Sequence, residues 1–151
     1  MASLIEDLGL TIKKIQHRHH RSMDERLHPL GITFVQWNAL REISRHPGQP
    51  LHHLAQATFN SDQAFGTLAA RLVDRGYVTR HEGKGRAIIH ELTPVGSKLL
   101  RQGNVSMLDM LRKSFGSLRH SEQRALSVLL QKVLDAGEGH RTRRSERNIE
   151  D

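Results

Sequence analysis

Residues 61–92 read SDQAFGTLAARLVDRGYVTRHEGKGRAIIHEL. The stretch opens with Ser61, and either it or the preceding Asn60 can cap a helix by accepting a backbone N–H. Phe65, Leu68, Ala69 and Leu72 follow at three- and four-residue spacing, the period of a helix with one buried face. Gly76 ends that helix, because glycine tolerates the left-handed conformation past a helix C-terminus. The pattern then changes. Tyr77 to His81 is β-prone, Glu82-Gly83-Lys84-Gly85 is a turn, and Arg86 to Leu92 is a second strand, which together predict one hairpin with a glycine-rich basic tip.

Working backwards, Pro50 opens a short helix that turns Leu51, Leu54 and Ala55 inward, and Thr58-Phe59-Asn60 breaks it. Before it, Thr33 and Gln36 form a capping box and Ile32 can staple onto Trp37, so that Phe34, Trp37, Leu40 and Ile43 line the buried side of a helix stopped by His46-Pro47-Gly48. At the start of the chain, Ser3 and Glu6 form another capping box, and Ile5, Leu8, Ile12, Ile15, His19 and Met23 recur at helical spacing up to a stop at His28-Pro29. A helix of about 24 residues spans ~36 Å. That is long for so small a domain and implies packing against something beyond its own core.

Working forwards, Thr93 and Pro94 start a long helix in which Val95, Leu99, Val105, Leu108, Leu111 and Phe115 can face a core, although Gly96 and Gly103 weaken its interior. Ser121 is expected to cap a last helix bearing Leu126, Leu129, Leu130 and Val133 and ending at Gly137. Residues 137–151 show no apolar periodicity and are expected to lack stable structure. The fold class is therefore mainly α with a small β-hairpin wing: a winged helix-turn-helix over about residues 32–93, flanked by long helices over 4–27 and 94–136, all within one domain of residues 1–136.

The chain has 151 residues, of which 36% are hydrophobic and only 4% aromatic, so its core is aliphatic. It contains no cysteine, which removes disulfides, thiolate metal sites and thiol redox sensing. No apolar run reaches the ~18–20 residues of a membrane span, and the N-terminus lacks the basic start and apolar stretch of a leader. A cytoplasmic protein with no membrane partner is expected. The formal charge of +7 favours a polyanionic partner. That surplus does not lie in the winged-helix segment: residues 94–136 hold seven basic and three acidic side chains, against five and four in 50–93.

Placement says more than the total. An α-helix fits the major groove of B-DNA, and a thin β-tip can enter the neighbouring minor groove. The outer face of the helix that starts at Ser61 carries Gln63, Gly66, Thr67, Ala70, Arg71 and Asp74. Gln63 can pair with adenine, Thr67 can touch a thymine methyl, and Arg71 can take guanine or a phosphate. Gly66 and Ala70 keep that face low, and the amides near Ser61 can hold a phosphate. Asp62 opposes DNA electrostatically, or else serves to stabilise the helix dipole. On the hairpin, Lys84 and Arg86 can clamp the backbone and the minor groove. The expected DNA-binding set is thus Ser61, Gln63, Gly66, Thr67, Arg71, Lys84 and Arg86.

The chain resembles the MarR family of bacterial transcription regulators in an ordered set of stretches: Gly31-Ile32-Thr33-Phe34-Val35-Gln36-Trp37-Asn38-Ala39-Leu40-Arg41, Ala69-Ala70-Arg71-Leu72-Val73-Asp74-Arg75-Gly76-Tyr77-Val78-Thr79-Arg80, Gly85-Arg86-Ala87 and Leu92-Thr93-Pro94-Val95-Gly96. The resemblance covers about residues 4–136. It implies a homodimer in which the first and the last two helices entwine, two winged helix-turn-helix lobes that bind a palindromic double-stranded operator, usually as a repressor, and release by a small ligand, often an aromatic acid. Arg86 matches the family's minor-groove arginine. Family wings commonly carry an aspartate two residues earlier, where this chain has Lys84, and often an arginine where it has Thr67. The resemblance also implies a ligand site near the first two helices, for which His17, His20, Trp37, Asn38 and Arg41 are the candidates.

Two other readings stand beside this one. A dimeric winged-helix module can work mainly through protein partners. The 11 histidines also allow a metal-sensing regulator, with His17 and His20 one helical turn apart. No HExxH, nucleophile-elbow or phosphate-loop motif is present, so no catalytic residues, no metal ligands and no cofactor are assigned, and the chain is not expected to be an enzyme.

Overall fold

The computed structural model describes residues 3–147, with side chains through residue 137. Both predicted capping boxes are present. Ser3 Oγ accepts the Glu6 amide while the Glu6 carboxylate accepts the Ser3 amide, and this starts α1 (Leu4–Leu27). Thr33 and Gln36 do the same for α2 (Phe34–Arg45). A 3-10 turn at His28–Leu30 and Gly31, at φ 73°, separate the two helices. Then come α3 (Leu51–Ala57), α4 (Asp62–Asp74), the antiparallel pair β1 (Val78–Glu82) and β2 (Ile88–Leu92), α5 (Pro94–Phe115) and α6 (His120–Arg147). The fold is a winged helix-turn-helix between long helices. No described helix is long and apolar enough to cross a membrane.

Two units meet in sequence between Met110 and Leu111. In the first, Met23, Trp37, Leu40, Leu54, Phe65, Leu72 and Val78 form a core almost free of solvent. Each α1 residue before Met23 is less covered: Ile5, Leu8 and Ile12 are exposed, and only Met23 and Leu27 of that helix are buried. In α5 the buried positions are Gly96, Leu99, Leu100, Gly103 and Met110. Val105 and Leu108, expected inward, are exposed. The reason is the two glycines. Gly96 lies so close to the Tyr77 carbonyl that a Cβ would come within 2.0 Å of it, and a Cβ on Gly103 would come within 2.1 Å of Trp37 Nε1. The glycine side of α5 is its contact face, and the helix is unbroken across both.

In the second unit, the Gln123 side chain donates to the carbonyls of Phe115 and Leu118 and closes the turn into α6. Ser121, expected as the cap, lies inside the helix. The Glu122 carboxylate instead accepts the Arg119 guanidinium at 3.0 Å and the Arg119 backbone N–H at 2.8 Å, and these bonds hold the Glu122 pKa below the ordinary carboxylate range. The helix continues past Gly137 to Arg147. Apolar periodicity reports burial rather than helicity, so its loss after Gly137 was a poor guide to where the helix ends. The rest of the expected structureless tail, 148–151, lies outside the described residues. Val128, Leu129, Leu130 and Val133 are all exposed on α6.

Candidate nucleic-acid interface

Ser61 caps α4 by accepting the Ala64 amide at 3.1 Å. Phe65, Ala69 and Leu72 are its buried residues, and burying that stripe turns the remaining face outward. Gln63, Thr67 and Arg71, each four residues from the next, are exposed along it. Thr67 Oγ1 donates to the Gln63 carbonyl at 3.1 Å. Gly66 sits differently from its expected place. It is half-buried, and a Cβ there would lie 3.7 Å from Leu51 Cδ1. Its open side therefore looks toward α3 rather than continuing the row of Gln63, Thr67 and Arg71.

The wing is held at its base by Thr93, whose hydroxyl donates to the Gly76 carbonyl at 2.6 Å and accepts the Gly96 amide at 3.0 Å. At the tip, the Gly83 amide donates to the Ala87 carbonyl at 2.7 Å. Within that closed turn Gly85 and Arg86 both have positive φ, 70° and 63°. For Arg86 that conformation is strained. Lys84 and Arg86 are exposed.

Sequence reading missed two features of this surface. The first is a clasp between α3 and α4: His52 Nδ1 lies 2.8 and 3.0 Å from the two carboxylate oxygens of Asp62. The second is a cleft of about 580 Å³ behind α4, lined among others by Leu51, His52, Gly66, Ala70, Arg80 and His90. Arg80 and His90 are cross-strand partners and so share a face of the hairpin. His90 is 4% exposed, and its Nδ1 has no hydrogen-bond partner among the described residues. Burial first, then Arg80 and His81, hold its pKa below the ordinary imidazole value. His52, Asp62, Arg80 and His90 are at least ten residues apart, so nothing local in the sequence announced their meeting.

The expected ligand residues are only partly brought together. His20 Nε2 lies 3.2 Å from Asp24, whose other oxygen accepts the Phe34 amide at 2.7 Å and so tethers the start of α2. His20 meets the Phe34 ring edge-on, Phe34 stacks with Trp37, and Arg41 lies over the Trp37 ring. Trp37 is fully buried and donates to the Leu100 carbonyl at 3.2 Å. Asn38 is half-buried beside it in sequence. His17 stands apart, in a shallow groove with Arg21, Ser22 and Glu25. Phe34, absent from the expected set, is the ring that links His20 to Trp37. Among the described residues, no three His, Asp or Glu side chains converge in a way that could hold a metal ion.

Residues 30–87, from just before α2 to the wing tip, match the sequence model of the MarR family. The fold extends the likeness along nearly the whole chain. A cysteine-to-serine mutant of MarR from E. coli, solved in complex with operator DNA, is 27% identical and superimposes with a TM-score of 0.79, covering 88% of this chain and 99% of that one. The chain is thus similar to MarR-family proteins, in sequence over residues 30–87 and in fold along most of its length. Among its relatives is the HTH-type transcriptional repressor Rv2887 of Mycobacterium tuberculosis, 28% identical over 109 residues, or 71% of this chain and 78% of the relative. A structure of that MarR-family protein in complex with p-aminosalicylic acid has a TM-score of 0.69 at 25% identity, covering 87% of this chain and 98% of that one.

Proposed function

We propose that this chain is a MarR-family transcription regulator, a repressor that binds a palindromic operator as a homodimer and is released by a small aromatic acid. The observation that carries the reading is the exposed row of Gln63, Thr67 and Arg71 on α4, followed in the chain by a wing whose tip presents Lys84 and Arg86. Ser61 caps that helix, and Gly66 allows its close approach to α3. The apolar residues left exposed on α1, α5 and α6, among them Ile5, Leu8, Val105, Leu108, Leu129 and Val133, support self-association through those helices, with 1–136 working as one domain. Two-fold symmetry then places the recognition helices about one DNA turn, ~34 Å, or a multiple of it apart.

Selection of bound duplexes from a random pool tests this directly. An inverted repeat protected on both half-sites is the expected result. Enrichment of no sequence would favour a module that works through protein partners.

For the ligand, the complex of Rv2887 with p-aminosalicylic acid supports an aromatic acid. Two positions compete. The first is the row of His20, Phe34, Trp37 and Arg41, with Asn38 beside Trp37 in sequence and His17 in a separate groove on α1. The cleft behind α4 is favoured by its volume, by the Arg80 cation and by the apolar walls of Leu51, Val73 and Ile88, which suit a flat carboxylate. Salicylate titration of Arg80→Met and Arg41→Met separates them: the variant that loses the ligand effect marks the site.

A further inference from the structure

The DNA-facing end of α4 begins with an acidic residue, Asp62, and the structure gives it a partner that changes charge. His52 Nδ1 lies within hydrogen-bond distance of both Asp62 oxygens, at 2.8 and 3.0 Å. Both side chains are open to solvent, 66% and 58% exposed, and among the described residues Nε2 of His52 has no hydrogen bond.

This geometry sets the tautomer. A carboxylate accepts only from an N–H, so it holds the imidazole proton on Nδ1 and leaves Nε2 as a bare lone pair. In that state the pair carries one negative charge and presents an acceptor outward, and both repel a phosphate oxygen. A second proton can go only to Nε2. It cancels the net charge and converts the outward acceptor into a cationic donor, which a phosphate oxygen accepts.

We propose that His52 is a proton-dependent DNA contact, so that DNA affinity rises as pH falls through the histidine range. The proposal rests on the reading of α4 and the wing as the DNA face. Other charged groups face the same cleft: Asp74 from α4, Arg80 from β1 and His90 from β2. His53, the next residue on α3, is engaged elsewhere, its ring 4.8 Å from that of His46. His90 is buried and its pKa is lowered, so His52 is the imidazole in this group that is open to both solvent and DNA. The linkage runs in one direction. Phosphate contact favours the protonated form, binding takes up a proton, and raising the pH weakens binding.

The test uses the full chain and duplexes selected from a random pool at about pH 6. Affinity is read by fluorescence anisotropy at about pH 6 and about pH 8 at constant ionic strength, with circular dichroism confirming the fold at both. Wild type is expected to bind about ten-fold more tightly at the lower pH. His52→Gln flattens the profile, and Asp62→Asn raises affinity at the higher pH. His53→Gln, His81→Gln and His90→Leu keep the wild-type slope. A slope that survives in His52→Gln, a flat wild-type profile, or an Asp62→Asn variant no tighter at high pH overturns the proton linkage and leaves the DNA face standing. Absence of wild-type binding at both pH values overturns the DNA-face reading and the linkage with it.

Discussion

Gly103 of α5 lies directly against the indole of Trp37 of α2, so close that a Cβ on the glycine would stand 2.1 Å from Nε1. The same indole donates to the Leu100 carbonyl one turn earlier. Helix propensity alone favours Gly103→Ala by about 1 kcal/mol. Close packing opposes it, because neither the indole nor the helix backbone has room to retreat. Overpacking of this kind costs about 1–3 kcal/mol, so the variant is expected to unfold at a lower temperature and lower denaturant concentration than wild type. Unchanged or raised stability would mean that α5 slides freely past Trp37.

At the wing tip, Arg86 holds φ 63°. Arg86→Ala and Arg86→Gly both remove the guanidinium, so both are expected to weaken DNA binding and to reduce the salt slope by about one. They differ in stability. Glycine relieves a left-handed strain of about 1–2 kcal/mol that alanine retains. Equal DNA losses with a higher melting temperature for the glycine variant would separate the side chain's contact from the backbone's strain. Unchanged affinity across a salt series would remove Arg86 from the interface.

Phe59 is a second non-glycine residue at positive φ, 58°, and its side chain is 97% exposed. It packs on little, so Phe59→Gly loses little and sheds the strain. Glycine's greater freedom in the unfolded chain offsets part of this, leaving an expected gain of about 0.5–1 kcal/mol. Phe59→Val, branched at Cβ, should be destabilised. Urea denaturation of the pair reads the difference.

Gln63 and Thr67 are exposed on the outer row of α4, and the Thr67 hydroxyl donates to the Gln63 carbonyl. Gln63→Ala is expected to lower discrimination at one base position by about 1–3 kcal/mol while binding to random-sequence DNA holds. A uniform loss across sequences would assign Gln63 to positioning on the backbone.

His90 gives a pH dependence of stability with a definite sign. Its folded-state pKa is lowered, chiefly by burial. As pH falls below about 6.5 the unfolded chain takes up a proton that the folded chain refuses. The protonation of His90 therefore costs no stability above that value, and stability drains as pH falls toward the lowered folded pKa. The orphaned Nδ1 adds a standing cost. His90→Leu should be as stable as wild type or more so near pH 7.5, and its advantage should grow as the pH is lowered toward 5. An advantage that shrinks on acidification would mean that His90 is paired in solution. This dependence concerns folding, whereas the His52 linkage concerns DNA affinity and has the opposite sense.

The order of the elements was legible in the sequence because its signals are local. Ser3 with Glu6, Thr33 with Gln36, and Ser61 with Ala64 are caps made three residues apart, and Phe65, Ala69 and Leu72 repeat at the helical period. Once those residues are buried, geometry alone turns Gln63, Thr67 and Arg71 to the other side of α4. The resemblance added Arg86 of the wing on the strength of its neighbours. The end of α6 was not legible, since exposed helix carries no apolar rhythm to read.

What only the tertiary structure decided are the contacts made between elements. Gly96 and Gly103 read as weak points of a helix until Tyr77 and Trp37 are seen against them. Asp62 read as an obstacle to DNA or a charge for the helix dipole, and its partner His52 came only with the fold. The ladder of His20, Phe34, Trp37 and Arg41, and the cleft that joins Arg80 to His90, need α1, α2, α4 and the hairpin to be in place first. Caps and periodicity depend on a few neighbouring dihedrals, so a linear chain displays them. A side chain's partner across the fold depends on how every intervening turn is set, and no short window of sequence contains that information.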